Sequence, residues 1–260
     1  MAYKSLYEFI ELRKKFQVYN GSLGSVLTDI SRILGKRNKT KQDYSTLAFQ
    51  SPRIIRALVD YKNENPEDKH LLRLLREGMS VALKIYKHYE NPKLKEDISK
   101  LKTKIIRGGY GDIFRSKLRQ HIDWINLIVS KPALSQKAAK KLNKIVESKK
   151  SIILVIGHGA INVGMDVFLR YKDLNPKNDL LFYVVRFSTS PYKKYEDDVP
   201  QLTPAEIKYL QKQAIGRKII VYDENTNTGI TIKNIVKYLS KNIFPKHKIN
   251  ILYNLNTKDL

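Results

Sequence analysis

The residues best suited to chemistry lie in one short segment, Lys218 to Thr231, which reads Lys-Ile-Ile-Val-Tyr-Asp-Glu-Asn-Thr-Asn-Thr-Gly-Ile-Thr. Its apolar start predicts a buried strand, and Asp223 and Glu224 end that strand with two adjacent carboxylates. A stretch of small residues then leads into a helical pattern over 230–241. Open α/β sheets bind ligands at the carboxyl ends of their strands, so the two carboxylates occupy a candidate site.

The rest of the segment favours a phosphate as part of the ligand. The hydroxyls of Thr226, Thr228 and Thr231, the backbone N–H groups and the positive end of the helix dipole together suit one phosphate group. Gly229 lets the backbone approach that phosphate closely. Carboxylates accept hydrogen bonds from vicinal sugar hydroxyls, so the whole segment predicts a sugar phosphate site. The simpler alternative is an ordinary polar turn between a strand and a helix.

The order of hydrophobic strand, acidic pair, three variable residues and Thr-Gly-x-Thr resembles the signature of type I phosphoribosyltransferases. Those enzymes bind phosphoribosyl pyrophosphate with Mg²⁺ and transfer its phosphoribosyl group to a nitrogen acceptor, releasing pyrophosphate. The resemblance implies that Asp223 and Glu224 are the catalytic residues and that they bind the ribose hydroxyls. It also implies that they hold Mg²⁺ indirectly, through those hydroxyls or through water. The 5-phosphate loop that it implies contains Asn225, Thr226, Asn227, Thr228, Gly229, Ile230 and Thr231.

Two upstream segments agree with the order of elements in this family. Ile152 to Ala160 resembles the first strand and its pyrophosphate loop, and Leu181 to Arg186 resembles the second strand with its terminal basic residue. A histidine between two glycines is otherwise an ordinary turn residue, so the role of His158 stays open. The further substrate-binding residues implied by the resemblance are Gly157, His158, Gly159, Ala160 and Arg186.

A long polar segment, Ser188 to Pro200, follows and occupies the position of the flexible lid of the family. Lys193 and Lys194 suit a leaving pyrophosphate, but Glu196-Asp197-Asp198 directly after them favours a solvated mixture of charges equally well. No role is assigned to either lysine.

The chain departs from the family pattern in three ways over the 151–253 stretch that the resemblance covers. Asn227 stands where purine-using members carry an acid, and asparagine cannot act as a general base. The pyrophosphate loop lacks the usual Gly-Gly pair, and no base-recognising segment follows Tyr253. We expect the N-terminal half of the chain to supply acceptor specificity.

The hydrophobic pattern predicts two domains with different architectures. Residues 150–260 alternate strands with helices, which indicates a parallel sheet covered on both faces. The resemblance implies that this sheet is doubly wound, like that of phosphoribosyltransferases. Residues 1–149 have apolar residues at intervals of three and four, which indicates a basic, mainly α-helical domain that begins with a stripe of Leu6, Phe9, Ile10 and Leu12. The predicted strands are Ile152–Ile156, Leu180–Val185, Lys218–Tyr222 and Ile249–Tyr253, with helices near 162–172, 204–214 and 230–241. The predicted N-terminal helices are one capped by Ser25 and others near 52–63, 67–89, 93–106, 112–129 and 135–148.

The net charge of +24 is unevenly distributed. Residues 1–150 contain 33 Lys and Arg against 15 Asp and Glu, a net charge of +18, whereas residues 151–260 contain 16 against 10, a net charge of +6. Such an excess favours nucleic acid by counterion release, although an AT-rich genome that raises Lys, Ile, Asn and Tyr together explains it equally well. The alternative function is therefore a nucleic-acid-binding or regulatory protein that only senses a phosphorylated sugar or nucleotide. In a third interpretation, Arg107-Gly-Gly-Tyr-Gly111 and the basic helices around it form a nucleic-acid surface.

Composition excludes several other classes of function. The chain contains no cysteine, which removes disulfides, thiolate zinc sites and nucleophilic cysteine enzymes. Its five histidines are scattered without the spacing of metal ligands. No apolar run approaches the ~20 residues that span a bilayer, and the N-terminus does not resemble a signal peptide. We therefore expect a cytoplasmic protein without membrane contact. The resembling family commonly forms homodimers, but the sequence leaves the oligomeric state of this chain open.

Overall fold

The computed structural model describes residues 3–9, 18–121, 128–147, 149–157, 159–187, 200–226 and 229–256. The chain forms two compact units, residues 1–128 and residues 129–260. No helix among the described residues is long and apolar enough to cross a membrane.

Over its described residues, the first unit is built mainly from four helices whose apolar faces form its core. Short 3₁₀ turns at Leu6–Phe9 and Gly111–Phe114 flank these helices. A two-stranded antiparallel ribbon pairs Val18–Ser22 (β1) with Lys117–His121 (β2). The helices are Leu23–Leu34 (α1), Lys41–Glu64 (α2), His70–His88 (α3) and Leu94–Arg107 (α4).

Reciprocal capping boxes set where the first two helices begin. Ser22 caps α1 and exchanges hydrogen bonds with Ser25, so Ser25 lies three residues inside the helix and the prediction that it is the cap was wrong. Thr40 and Asp43 begin α2 in the same way, 11 residues before the predicted start at 52. Pro52 is therefore inside α2, although proline usually marks a helix boundary.

The prediction of a helix near 112–129 was wrong at 112–121, and residues 122–127 lie outside the described residues. The structure has a 3₁₀ turn there, followed by β2, whose residues pair with β1 about a hundred positions earlier in the chain. Local periodicity cannot reveal such a pairing, because the partner that satisfies the strand's backbone groups is remote in sequence. Ile10 and Leu12, predicted to continue the first helical stripe, lie outside the described residues.

The second unit is a parallel α/β sheet, as predicted. Its strand order is β4-β3-β5-β6, with every neighbouring pair parallel. All six residues of β3 are buried, which suits a strand covered on both faces. The strands are Ser151–Ile156 (β3), Leu180–Val185 (β4), Lys218–Thr226 (β5) and Ile249–Asn256 (β6). The helices are Pro132–Val146 (α5), Ala160–Leu174 (α6), Pro204–Ala214 (α7) and Ile230–Asn242 (α8).

Helix α5 belongs to the second unit, so the division falls at 128/129 and not at the predicted 149/150. The Tyr222 hydroxyl donates a 2.8 Å hydrogen bond to Asn254 Oδ1. Asn254 Nδ2 in turn donates to the Val129 carbonyl at 3.0 Å and to Ser135 Oγ at 3.3 Å. This buried network joins β5 and β6 to the start of α5, a link that the change of pattern at Ser151 could not reveal.

The revised boundary also changes how the charge is distributed. Residues 1–128 contain 26 Lys and Arg against 14 Asp and Glu, and residues 129–260 contain 23 against 11, so each unit has a net charge of +12. The apparent excess in the N-terminal half comes from residues 129–150, which contain seven lysines and one glutamate. Charge alone therefore no longer favours the first unit as the nucleic-acid-binding part.

The buried network predicts the effect of removing one hydroxyl. Tyr222→Phe leaves Asn254 Oδ1 buried without its donor, which should lower the free energy of unfolding by about 1–3 kcal/mol. Urea denaturation of the whole chain measures this loss. As a control, Tyr238→Phe on the partly exposed side of α8 should change the stability by less than about 0.5 kcal/mol. Equal effects of the two substitutions would contradict the role of the network.

Candidate functional site

Strands β3 and β5 are the central pair of the sheet, and the chain adds β4 on one side of this pair and β6 on the other. The chain runs from β3 outward to β4, returns past β3 to β5, and then continues outward to β6. Right-handed crossovers therefore carry the helices after β3 and β5, α6 and α8, to opposite faces of the sheet. The crevice outside the carboxyl ends of two such strands is the usual ligand site of open α/β sheets. The predicted segments Gly157–Ala160 and Asp223–Thr231 both begin at this crevice.

The end of β3 requires a glycine at position 157. Gly157 has φ of 72°, a left-handed conformation that favours glycine, and its N–H donates to the Val185 carbonyl at 2.9 Å. A Cβ at this position would lie 2.9 Å from the Phe187 carbonyl oxygen, so the ends of β3 and β4 are in close contact. Helix α6 then begins at Gly159, which has no side chain to cap it, and Ala160 is buried in its first turn. His158 lies outside the described residues.

Strand β5 extends farther than the sequence predicts. Its last pair with β3 joins Tyr222 to Val155, whereas its pairing with β6 continues to Thr226 opposite Asn256. Asn225 and Thr226 are therefore strand residues, although both were predicted to lie in the loop that follows the acidic pair. Because β3 has ended, this part of β5 borders the loop after β3 on one side and β6 on the other.

The two carboxyl groups at this strand end interact directly. The Asp223 carboxylate accepts hydrogen bonds from the backbone N–H groups of Glu224 and Asn225, and its side chain hydrogen-bonds to the Glu224 carboxyl. Burial raises the pKa of Asp223 above its usual range, and these hydrogen bonds oppose that effect without cancelling it. A hydrogen bond between two carboxyls requires a proton on one of them, so this contact favours a single negative charge on the two side chains.

Asn225 has an unsatisfied acceptor beside this pair. Its Oδ1 is buried and has no hydrogen-bond partner. Leaving a buried amide oxygen unpaired costs about 1–3 kcal/mol, so natural proteins keep few such atoms. The sequence placed Asn225 among the variable residues of a phosphate loop and did not reveal this feature. The strand end thus presents two carboxyls and an amide oxygen, all hydrogen-bond acceptors.

Helix α8 begins at Gly229, close to this strand end. Gly229 has φ of 72°, and the Thr226 hydroxyl oxygen lies 3.7 Å from where a Cβ on Gly229 would be. Ile230 and Thr231 occupy the first turn of the helix, where the dipole is positive. Asn227 and Thr228 lie outside the described residues. The arrangement suits an anion near Thr226 and the start of α8.

Arg186 lies at the end of β4 on the same edge of the sheet and is 7% exposed. It forms an antiparallel bridge with Gln201, whose N–H donates to the Arg186 carbonyl at 2.9 Å. The two ends of the predicted lid therefore meet beside the carboxyl end of β4. Residues 188–199 of that lid, including Lys193 and Lys194, lie outside the described residues.

The donor set at the end of β5 fits Mg²⁺ bound together with a phosphate ligand. The described residues contain no group of three or more His, Cys, Asp or Glu side chains that could form an all-protein metal cage. Mg²⁺ usually binds one or two carboxylates and completes its shell with water and substrate phosphate oxygens. Asp223 and Glu224 supply two such carboxylates.

The glycine segment at 107–111 in the first unit ends a helix. The Tyr110 N–H donates to the Ile105 carbonyl at 3.0 Å, which closes the C-terminus of α4. The Tyr110 hydroxyl donates to Asp68 Oδ2 at 2.7 Å, and its ring meets the ring of Tyr61 edge-on with centroids 6.1 Å apart. The Tyr110 ring, which a nucleic-acid surface would use for stacking, thus packs within the protein. These contacts indicate that the segment serves as a connector at the end of a helix.

No family model, curated protein or solved structure matches this chain. The likeness to phosphoribosyltransferases therefore depends on the residues at the ends of β3 and β5.

Gly157, Gly216 and Gly229 in the second unit have a positive φ. We predict that replacing each with alanine lowers the free energy of unfolding by an amount that depends on the space around the added methyl group. Gly157→Ala should lower the free energy of unfolding by about 2–3 kcal/mol, because backbone strain adds to the contact with the Phe187 carbonyl. Gly216→Ala and Gly229→Ala should each cost about 1 kcal/mol, because the Cβ at these positions meets open space or an ordinary contact. Urea denaturation of the three variants measures the order, and an equal cost at Gly157 and Gly216 would contradict the close approach.

The raised pKa of Asp223 predicts a pH-dependent stability. A carboxyl whose pKa is higher in the folded state favours folding fully below its unfolded value of about 3.9, and this contribution is lost as the pH rises through the folded-state pKa. Asp223→Asn removes the buried charge and should raise the thermal midpoint at pH 7, by about 2–4 °C for each kcal/mol regained. The difference from the native protein should vanish below about pH 4. Thermal unfolding measured from pH 3 to pH 8 checks this, with exposed Asp173→Asn as a neutral control, and a lower midpoint of Asp223→Asn at pH 7 would refute it.

Proposed function

We propose that the second unit binds phosphoribosyl pyrophosphate with Mg²⁺ and transfers its phosphoribosyl group to a nitrogen acceptor, releasing pyrophosphate. The observation that carries the proposal is the position of the acidic pair. Asp223 and Glu224 lie in the last part of β5, just beyond its pairing with β3 at the switch point of the sheet, a few residues before the start of α8 and beside the glycine turn that ends β3.

The end of β5 suits the sugar and its 5-phosphate. Ribose hydroxyls donate hydrogen bonds, and the carboxyls of Asp223 and Glu224 accept them. The Thr226 hydroxyl and the N-terminus of α8 follow within a few residues, which suits a phosphate attached to the same sugar. Asn225 Oδ1 offers a further acceptor at this end of the strand.

The end of β3 suits the pyrophosphate. The Gly157 N–H is held by the Val185 carbonyl, but Gly159 has no side chain that shields its backbone amide, and α6 directs its positive end toward the carboxyl edge of the sheet. Because β3 and β5 are neighbours, the two anion-binding ends lie on either side of one crevice. A molecule with phosphates at both ends of a ribose matches that arrangement.

The reaction requires positioning and charge neutralisation more than a protein nucleophile. Breaking the bond between ribose and pyrophosphate develops positive charge on the sugar, which the Asp223 and Glu224 carboxylates stabilise by holding its hydroxyls. When bound, Mg²⁺ supplies neutralisation of the leaving pyrophosphate.

A second candidate is a protein that senses a phosphorylated sugar at the same site without transferring it. Asn227 favours this candidate, because an asparagine there cannot accept a proton from a base nitrogen. The two candidates share the binding site and differ in chemistry. Release of pyrophosphate in the presence of nucleobases distinguishes them.

Isothermal calorimetry with phosphoribosyl pyrophosphate and Mg²⁺ tests the binding site. Asp223→Asn combined with Glu224→Gln keeps the side-chain shapes but weakens the acceptors, so affinity should fall by about 10- to 100-fold per lost charged hydrogen bond. The matched control, Asp173→Asn with Glu147→Gln, removes two exposed carboxylates of the same unit and should leave the affinity unchanged. The proposal fails if the native chain binds neither phosphoribosyl pyrophosphate nor ribose 5-phosphate, or if the Asp223 and Glu224 double variant binds as tightly as the control.

A further inference from the structure

Helix α5 is apolar on one face and strongly basic on the other. Ala138, Leu142 and Val146 are buried, and the helix packs against α6 and β6. The opposite face is exposed to solvent. Helix α5 thus covers the sheet of the second unit with one side and presents the other to solvent.

The exposed face carries a row of lysines. Lys137, Lys140, Lys141 and Lys144 are spaced by three and four residues or are adjacent, so they form one stripe along the helix, about 10 Å long. We call these four residues the lysine row. Three more exposed lysines flank it at positions 131, 149 and 150.

Little negative charge lies near this row. Glu147 is the one acidic residue between positions 131 and 150, and its Oε2 lies 2.6 Å from Lys218 Nζ. Within the part of the chain that the structure describes, no carboxylate forms an ion pair with the lysine row. Lys141 contacts the edge strand instead, with its Nζ 5.2 Å from the centre of the Tyr253 ring.

The first unit differs, because several of its lysines have acidic partners. Lys84 on α3 pairs with Asp97 at 3.0 Å, and Lys104 on α4 pairs with Glu77 at 2.8 Å. Lys36 and Lys39, which follow α1, also pair with carboxylates. Local pairing reduces the field that a polyanion would meet there, whereas the field of the lysine row is not reduced in this way.

We propose that the lysine row binds the phosphate backbone of nucleic acid without reading its sequence. A duplex carries one negative charge per about 1.7 Å of its axis, so a 10 Å row faces about six phosphate charges and can neutralise up to four of them. Lysine contacts phosphates as a point charge and carries no base preference there. The row contains no residue of the carboxyl-edge site, so this binding is independent of the proposed phosphoribosyl chemistry.

The salt dependence of binding gives a quantitative test. Fluorescence anisotropy of a labelled duplex DNA and of a labelled single-stranded RNA, each about 20 nucleotides long, should show affinity that falls steeply with salt. Neutralising four phosphates gives a log–log slope of about −3.6 for duplex and about −2.8 for a single strand, so duplex affinity should fall roughly 10²-fold between 50 and 200 mM salt. The two ligands show which form the row prefers.

Substitution of three lysines in the row locates the binding. Lys137→Gln, Lys140→Gln and Lys144→Gln together should make the slope shallower by about 3. The matched control replaces three exposed lysines on α8 in the same unit, Lys233, Lys237 and Lys241, and should keep the native slope. Thermal midpoints within about 2 °C of the native value show that both triple variants are folded.

Two results would overturn the proposal. One is an equal change of slope in the α5 and α8 variants, which would mean that net charge alone attracts nucleic acid. The other is the absence of binding of both ligands to the native chain at 50 mM salt. Retained nucleic-acid binding by the Asp223 and Glu224 double variant would show that the row acts separately from the carboxyl-edge site.

Discussion

The parallel pairing of β3 with both β4 and β5 is the constraint on which the second unit depends. Parallel strands need crossover connections, and the crossovers from β3 and β5 leave in opposite directions along the sheet. This reversal separates the two following helices and opens a crevice between two strand ends. The same connections cover both faces of the sheet, which explains why β3 is buried throughout. Stability and site geometry thus come from one arrangement of strands.

The carboxyl edge of this sheet contains several unusual local features, although the described unit has others elsewhere, such as the positive φ of Glu147 and the buried Nδ1 of His247 without a hydrogen-bond partner. Gly157 and Gly229 adopt left-handed conformations, Asp223 has a pKa raised by burial, and Asn225 has a buried acceptor without a partner. Glycine adopts its left-handed conformations without steric cost, whereas the buried carboxyl and the unpaired acceptor cost free energy that the well-packed strands below compensate for. Locally unfavourable groups of this kind beside a well-packed sheet are typical of a binding site. A ligand can satisfy the hydrogen-bond acceptors that the protein leaves without a partner.

The distribution of charge matters more than its total. A net charge of +24 suggests a basic protein as a whole, yet the two units share it equally and differ in how it is paired. Ion pairs offset part of the charge between helices of the first unit, while α5 in the second unit carries lysines without such partners among the described residues. The distinction depends on which side chains meet across helices, which total charge does not show.

The sequence by itself determined the strands β3 to β6, the helices between them and the acidic pair at the end of β5, because each follows from a local pattern of apolar residues and turn-forming residues. It also placed Gly157 and Gly229 in the segments that follow β3 and β5. Tertiary structure decided the strand order, the extension of β5 through Thr226, the pairing of β1 with β2 and the assignment of α5 to the second unit. All four depend on contacts between residues that are distant in the chain, such as the hydrogen bond from Asn254 to the Val129 carbonyl. The local periodicity of either segment does not show such a contact.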